Sequence, residues 1–242
     1  MSKRVAQKQT QRMVREQLAA ERRRKRAIWI TVSAVLVLLI AGIVGWGMYR
    51  SQQPETFASP AGTTDDGGNK SGLTVSGTGP VPVEVYLDFL CPHCRDFEAS
   101  TSDTLNQLAA QGKINVVWHP LGFLDSASSP SGYSTRAANA AACASDGGKL
   151  AQYGEALFAN QPQEGGPGLT DDQLVDLGGP VGLNAPSFAQ CVRNGNYKPW
   201  VANVNAEAAQ RGVNSTPTVY VDGKQLTSTT PDSIRAAVSA AS

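Results

Sequence analysis

The sequence predicts an α/β domain with an inserted block of helices, preceded by one transmembrane helix. Three observations indicate this class. A basic segment precedes an uncharged apolar span, a strand pattern runs directly into a helix at a Cys-x-x-Cys motif, and a long helical stretch separates the first strands from a late strand hairpin. The chain is accordingly divided into a basic segment (1–26), a membrane span (27–49), a linker (50–71) and a folded domain (72–242), with the helical insertion at about 121–211.

The N-terminal part of the chain has the pattern of a signal anchor. Residues 1–26 contain ten Lys or Arg and two Glu, whereas residues 27–49 contain no charged side chain. As a helix this span is about 34 Å long, enough to cross a hydrocarbon core of about 30 Å. Because the basic residues precede it, we expect the N-terminus in the cytoplasm and the folded domain outside the cell membrane. A cleaved signal peptide is the alternative, but its apolar region is shorter and ends at a small-residue site that Gly45–Tyr49 lacks.

The composition changes sharply after the apolar span. Residues 50–71 are mostly Ser, Gln, Pro, Gly, Thr and Asp, which predicts a flexible linker. From residue 50 onward there are eleven basic and eighteen acidic residues, a net charge of −7, and this argues against nucleic-acid binding. The remaining stretch of about 170 residues has the length of one domain.

The order of predicted elements defines that domain. The predicted strands are Leu73–Val75, a buried strand that begins at Val83, Ile114–Trp118 and Thr218–Val221. Helices are predicted between the third and fourth strands, including an Ala-rich helix and one that begins at a capping box of Thr170 and Gln173. Asp222 and Gly223 predict a two-residue hairpin turn, and Thr230 is the expected N-cap of a closing helix.

Cys91 and Cys94 lie where the buried strand becomes a helix. A thiol there is close to unpaired backbone N–H groups and to the positive end of the helix dipole, both of which favour the thiolate. His93 adds a positive charge when it is protonated. Zinc binding and an inert structural bridge are the alternatives, but a structural zinc site needs a second pair of ligands, and the other two cysteines, Cys143 and Cys191, are single and far apart in the sequence.

The motif Cys91-Pro92-His93-Cys94 after the first long strand, with Thr216-Pro217 before the late hairpin, resembles the DsbA family. These are exported disulfide oxidoreductases with a thioredoxin-like fold and an inserted helical domain, and the resemblance covers about residues 73–241. Asp88, three residues before Cys91, and the signal anchor are similar to the membrane-anchored members of Gram-positive and actinobacterial species.

The resemblance implies roles for individual residues. Cys91 is the expected surface nucleophile and Cys94 the more buried partner, while Pro92 and His93 set the redox potential. Pro217 is the expected cis-proline, and Thr216 presents its backbone groups to an extended peptide, which can pair with them as an added strand.

Three further residues have less certain roles in the sequence alone. Asp88 is either a proton relay for the cysteines or a polar residue at a strand end. Cys143 and Cys191 both fall in the helical stretch of an exported chain with an even number of cysteines, so we expect a structural disulfide between them. Two buried free thiols are the alternative.

The resemblance implies an extracytoplasmic oxidase that donates the Cys91–Cys94 disulfide to exported proteins through a mixed disulfide at Cys91. It implies no metal or organic cofactor, and a quinone-linked partner that reoxidises the dithiol, either DsbB-like or a vitamin K epoxide reductase homologue. A thiol-disulfide reductase or isomerase is the first alternative, because the direction of the reaction depends on redox potential and partners. A non-enzymatic metal- or redox-binding protein with a thioredoxin-like fold is the second.

The topology can be tested on intact cells. If residues 51–242 lie outside the membrane, an externally added protease should remove the folded domain and spare the basic segment 1–26, as read by antibodies against each end. Protection of the folded domain in intact cells, with cleavage after lysis, would contradict the predicted orientation.

Overall fold

The computed structural model describes Trp29, residues 37–46, 57–64 and 70–241. Its chain divides into two units, Met1–Thr56 and Phe57–Ser242. In the first unit residues 37–46 are helical and their apolar side chains are exposed. Across the described residues, no helix is both long and apolar enough to cross a membrane. The basic segment 1–26 and most of the predicted span 27–49 lie outside the described residues.

The second unit is built on one five-stranded mixed sheet of order β1-β3-β2-β4-β5. Strands β2 and β3 are parallel, and the other neighbours are antiparallel. The strands are β1 (Leu73–Ser76), β2 (Val81–Leu87), β3 (Ile114–Pro120), β4 (Thr218–Val221) and β5 (Lys224–Gln225). Strand β1 lies at one edge of the sheet, and the predicted hairpin turn is present, with positive φ at both Asp222 and Gly223.

The described residues of this unit also form seven α-helices. They are α1 (Pro92–Ala110), α2 (Tyr133–Asp146), α3 (Leu150–Ala159), α4 (Asp171–Asp176), α5 (Pro186–Asn194), α6 (Lys198–Gln210) and α7 (Pro231–Ala241). Helices α1 and α7 pack on each other and on the sheet, whereas α2 to α6 form a block that enters the chain between β3 and β4. The predicted α/β order with a helical insertion is therefore confirmed. The capping box of Thr170 and Gln173 is also present.

The Ala-rich helix α2 is the centre of the helical block. It contacts α3, α4, α5 and α6, and most of its alanines are fully buried. Small side chains on several faces let the neighbouring helices approach closely, so that a short helix can be surrounded and still fill its space. One of these contacts is covalent, because Cys143 of α2 and Cys191 of α5 form the predicted disulfide.

An ion pair with a buried carboxylate joins the end of the helical block to the sheet. Glu84 of β2 is 8% exposed and accepts hydrogen bonds from both terminal nitrogens of Arg211, which follows α6. Burial alone raises the pKa of Glu84, but hydrogen bonds with His119 and Arg211 outweigh it and hold the pKa at about 2. His119 also stacks on Tyr86, with ring centroids 4.2 Å apart. The contacts of His119 with Ser71, Glu84 and Tyr86 are thus structural, and none of them involves a thiol.

The linker predicted at residues 50–71 is too long at its C-terminal end. The Ala61 N–H donates to the Asp146 carboxylate at 2.8 Å, and Ser145 Oγ donates to the Ala61 carbonyl at 2.6 Å. Thr63 forms a β-bridge with Leu73. These contacts use mainly backbone groups, which a polar composition does not reveal, and they make residues 57–64 part of the folded unit.

Removing the Cys143–Cys191 bridge should destabilise the folded unit. Changing both cysteines to Ala should lower the free energy of unfolding by about 2–5 kcal/mol, because the bridge closes a long loop in the unfolded chain. Urea unfolding measures the difference, with Cys91→Ala/Cys94→Ala as the control that keeps the bridge. Equal stability, or two alkylatable thiols at 143 and 191 in unreduced protein, would contradict this assignment.

Candidate active site

The two cysteines of the Cys-x-x-Cys motif lie at the junction between β2 and α1. Cys91 is the N-cap of α1, with extended backbone angles of φ −73° and ψ 117°, and Pro92 opens the helix. Proline is favoured there because its φ suits a helix start and the N–H that it lacks has no intrahelical partner. The backbone N–H groups of His93 and Cys94 help to lower the pKa of the Cys91 thiol, as expected at a helix start. The Cys94 N–H itself donates to the Cys91 carbonyl at 3.1 Å.

These surroundings favour the thiolate of Cys91. A hydrogen bond from the Cys94 thiol is the largest contribution, and together with hydrogen bonds from Thr216 and the first helical turn it lowers the pKa of Cys91 to about 5 against the opposing effect of burial. An ordinary cysteine titrates near pH 8.5. Cys91 is therefore almost fully ionised at neutral pH.

Cys94 is in the opposite electrostatic situation. It is 1% exposed, and burial raises the pKa of its thiol far above the ordinary value. The hydrogen bond to Cys91 and the negative charge of Cys91 raise it further. The backbone N–H of Asp88 lies 3.5 Å from the Cys94 sulfur. The pair therefore consists of one thiolate and one thiol, both reduced and neither bridged.

The Thr216–Pro217 peptide bond is cis, as the resemblance implied, and it faces Cys91. The Cys91 sulfur lies 3.4 Å from the Thr216 carbonyl oxygen. The sheet explains this meeting, because β2 and β4 are antiparallel with Tyr86 opposite Thr218. If this pairing is extended beyond the two strands, the segment that precedes β4 lies beside the turn that precedes α1.

Asp88 lies beneath the cysteines and is fully buried. Its carboxylate accepts hydrogen bonds from the backbone N–H groups of Leu90 and Leu124, each at 2.9 Å. Burial nevertheless dominates and raises the pKa of Asp88 to about 6, and the charge of Cys91 raises it as well. The structure therefore brings Asp88 to the cysteines, and its carboxyl group changes charge near physiological pH.

Cys91 was predicted to be a surface nucleophile, but only 5% of the residue is exposed. It is reached through a cavity of about 500 Å³ with an apolar wall of Phe123 and Leu124 and an acidic rim residue, Glu164; the other lining residues are Cys91, Pro92, His93, Asn214, Ser215 and Thr216. A second groove of about 950 Å³ begins at His93 and Pro217, and half of its lining residues are Ser or Thr. The exposed His93 lines both, so the two cavities flank the active-site turn.

The remaining predicted site residues are not part of this turn. Cys143 and Cys191 are used by their disulfide within the helical block. Within the part of the chain that the structure describes, no group of three or more His, Cys, Asp or Glu side chains could hold a metal ion. Cys91 and Cys94 therefore have no further ligands beside them there.

Two contacts from the helical block were not predicted. The Leu124 N–H donates to Asp88 from 36 residues away, and the side chain of Gln161 donates to the carbonyls of Phe89 and Cys91 from about 70 residues away. Both contacts depend on how the inserted block docks onto the sheet. Neither residue belongs to a motif, and no periodicity in the sequence singles them out.

Known proteins of this architecture share the same chemistry. The family model described as Thioredoxin matches residues 76–240. Oxidised Mtb (Mycobacterium tuberculosis) DsbA is 31% identical, with a TM-score of 0.61 over 70% of this chain and 91% of that chain. Reduced DsbG, a disulfide bond oxidoreductase from Mycobacterium tuberculosis, is 29% identical, with a TM-score of 0.59 over 76% of this chain and 85% of that chain.

Two further matches set limits on the comparison. The thiol-disulfide oxidoreductase MdbA from Corynebacterium diphtheriae has a TM-score of 0.61 at 20% identity, over 78% of this chain and 98% of that chain, which shows a shared fold. The serine/threonine-protein kinase PknE of Mycobacterium tuberculosis is 30% identical over 160 residues, 62% of this chain. The chain spans only 28% of the length of that curated relative. On the family match, the fold and the cysteine pair, the chain belongs to the thioredoxin family and is a protein disulfide oxidoreductase of the DsbA type.

Proposed function

We propose that the protein is an extracytoplasmic oxidase that donates the Cys91–Cys94 disulfide to exported proteins. A substrate thiolate attacks the Cys91 sulfur, the Cys91–Cys94 bond breaks, and Cys94 takes up a proton as it leaves. A second substrate thiolate then attacks the substrate sulfur of the mixed disulfide and releases Cys91 as a thiolate. The substrate loses two electrons and gains a disulfide, and the enzyme becomes a dithiol.

The contrast between Cys91 and Cys94 carries this proposal. The pKa of Cys91 is about 5, so at neutral pH the dithiol form is stabilised by a charge that the disulfide does not have. One pKa unit is about 1.4 kcal/mol, and the same free energy is about 30 mV for a two-electron couple. Each unit by which the pKa of Cys91 lies below the ambient pH therefore raises the reduction potential by about 30 mV. A low pKa on the attacked cysteine thus favours oxidation of the substrate.

The cis-proline segment is the proposed docking edge for the substrate. Thr216 and Pro217 lie beside the Cys91 sulfur, and the backbone of an extended peptide can pair with Thr216 as an added strand. Residues on either side of the substrate cysteine then enter the two cavities that flank the turn. Pairing through backbone groups accepts many sequences, as an enzyme with varied unfolded substrates requires.

Asp88 is the proposed proton carrier for Cys94. When the disulfide opens, Cys94 is expelled into a buried place where its thiolate is strongly disfavoured. Asp88 contacts that sulfur through its N–H and has a carboxyl pKa of about 6, so a fraction of it is protonated near neutral pH. It can donate its proton to the leaving sulfur and regain one from solvent.

The proposed location is the outer face of the cell membrane. The basic segment 1–26 and the apolar span 27–49 support a single-pass signal anchor with the N-terminus in the cytoplasm. The Cys143–Cys191 disulfide supports an oxidising compartment. A membrane anchor would keep the domain near a quinone-linked reoxidant such as a DsbB-like protein or a vitamin K epoxide reductase homologue, and would raise its effective concentration.

Isomerase activity is the second candidate function. The structure named DsbG, which is 29% identical over 76% of this chain, is described as a disulfide bond oxidoreductase, a term that covers both oxidation and isomerisation. An isomerase acts from its dithiol form on substrates that already have disulfides. Two measurements separate the activities. One is the ratio of the disulfide and dithiol forms of the enzyme in the cell, and the other is whether the enzyme can repair a substrate with wrongly paired disulfides.

Direction can be measured on purified protein. The oxidised enzyme should rapidly oxidise a reduced, unfolded ribonuclease, and the reduced enzyme should reduce insulin slowly. Cys91→Ser should abolish both activities because the attacked sulfur is gone. Cys94→Ser should accumulate mixed disulfides with substrates, since the resolving thiol is missing. Fast reduction of insulin, together with a low, thioredoxin-like reduction potential of the Cys91–Cys94 pair, would contradict the oxidase assignment and favour a reductase.

The pH dependence tests the charge on Cys91 directly. Thiolate absorbance should titrate with a midpoint near pH 5, and His93→Ala should raise that midpoint and make the protein less oxidising. Above this pH reduction consumes one proton and the potential should fall by about 30 mV per pH unit; below it Cys91 is also protonated and the slope should be about 60 mV. A single slope from pH 4 to 8 would be incompatible with a depressed pKa.

A further inference from the structure

Gln161 connects the helical block to the main chain of the active-site turn. It lies two residues beyond the end of α3, and its side-chain nitrogen donates to two carbonyl oxygens, that of Phe89 at 3.0 Å and that of Cys91 at 2.9 Å. An amide nitrogen has two N–H groups, so both are used. The side chain is partly buried, and it reaches the backbone of Cys91 rather than its sulfur.

The Cys91 carbonyl is an unusual place for a third donor. As the N-cap carbonyl it already accepts hydrogen bonds from the backbone N–H groups of Cys94 at 3.1 Å and Arg95 at 3.3 Å. A carbonyl oxygen bears partial negative charge, and this one belongs to the residue whose sulfur is ionised. A further N–H on that oxygen withdraws negative potential from the sulfur and fixes the plane of the Cys91–Pro92 peptide.

The position of Gln161 is held by tight packing around α3. Phe158 of α3 contacts Phe89 with ring centroids 5.0 Å apart. Gly154 lies so close to Trp118 that an added Cβ atom would be 2.3 Å from the indole ring. Because α3 packs against Trp118 of β3 and Phe89 of the turn before α1, the amide of Gln161 is held close to both carbonyls.

We propose that Gln161 is a positioning residue for the redox chemistry, which holds the Phe89 and Cys91 carbonyls and stabilises the Cys91 thiolate through the backbone. The inference uses the disulfide oxidoreductase activity of the family and does not depend on the direction of the reaction. The helical block then helps to set the reduction potential of the cysteine pair and does not only cover the site.

The test compares two identical substitutions at neighbouring glutamines. Gln161→Met keeps the length of the side chain and removes both donors, whereas Gln163→Met makes the same change at an exposed position two residues later. In the full chain, Gln161→Met should lower the thiolate fraction of Cys91 and shift the thiol-disulfide equilibrium with glutathione by about 2- to 10-fold toward the enzyme disulfide, which is the loss expected for one or two hydrogen bonds. Gln163→Met should leave both quantities unchanged.

The measurement must be specific for the Cys91 sulfur. Glu98 lines the same α1–α3 junction, and burial together with the charge of Glu155 raises its pKa to about 7, so total proton uptake would mix two groups. Absorbance of the thiolate and the rate of alkylation at Cys91, read by mass spectrometry, avoid this. Gln161→Asn, which keeps the amide but is one methylene shorter, serves if the Met variant does not fold, and should show a smaller shift in the same direction.

The outcomes separate a positioning role from a merely structural one. A Gln161→Met protein with lower thermal stability but wild-type Cys91 titration and glutathione equilibrium would overturn the proposal. Equal shifts in the Gln161 and Gln163 variants would overturn it as well. An ordinary thiol pKa for Cys91 in the unaltered protein would instead argue against the oxidase function, while the difference between variants would still be readable.

Discussion

The start of α1 is the constraint on which the rest of the site depends. A helix must leave its first N–H groups without intrahelical partners, and here a cysteine occupies the cap position that faces them. The helix is held by its own buried residues, among them Phe97, Thr101 and Leu105, which anchor it against the sheet and α7. Any rotation of α1 would turn its unpaired donors away from the sulfur. The ionisation of Cys91 therefore depends on how α1 packs against the rest of the domain.

The site is assembled from segments that are distant in sequence. The sheet register brings the cis-proline segment to one side of Cys91, and the helical block supplies the Leu124 N–H to Asp88 and the Gln161 amide to the turn. A buried polar group without a partner costs about 1–3 kcal/mol, so the hydrogen bond from Leu124 to the buried Asp88 also stabilises this docking. The two parts of the domain are thus coupled through hydrogen bonds at the active site as well as through the Glu84–Arg211 ion pair on the sheet.

The parts of this arrangement that follow from local rules could be predicted from the sequence. A run of β-branched and aromatic residues followed by Cys91-Pro92 indicates a strand and then a helix start, and Asp222-Gly223 indicates a tight hairpin. The resemblance added the cis bond before Pro217. Contacts that depend on the docking of the helical block could not be predicted, because Gln161 is an ordinary polar residue just after a helix end. The low exposure of Cys91 and the packing of residues 57–64 were missed for the same reason.

The disulfide between α2 and α5 has a consequence for how the protein is made. It fastens two helices that surround the core of the helical block, and that block in turn holds the turn before α1. A newly synthesised chain therefore needs an oxidant before its own catalytic centre is fully supported. If the mature protein is an oxidase, its own reduced precursor is one of its substrates. Its maturation would then be autocatalytic, with existing oxidised molecules forming the bridge of new ones and the quinone-linked partner restoring the donor disulfide after each transfer.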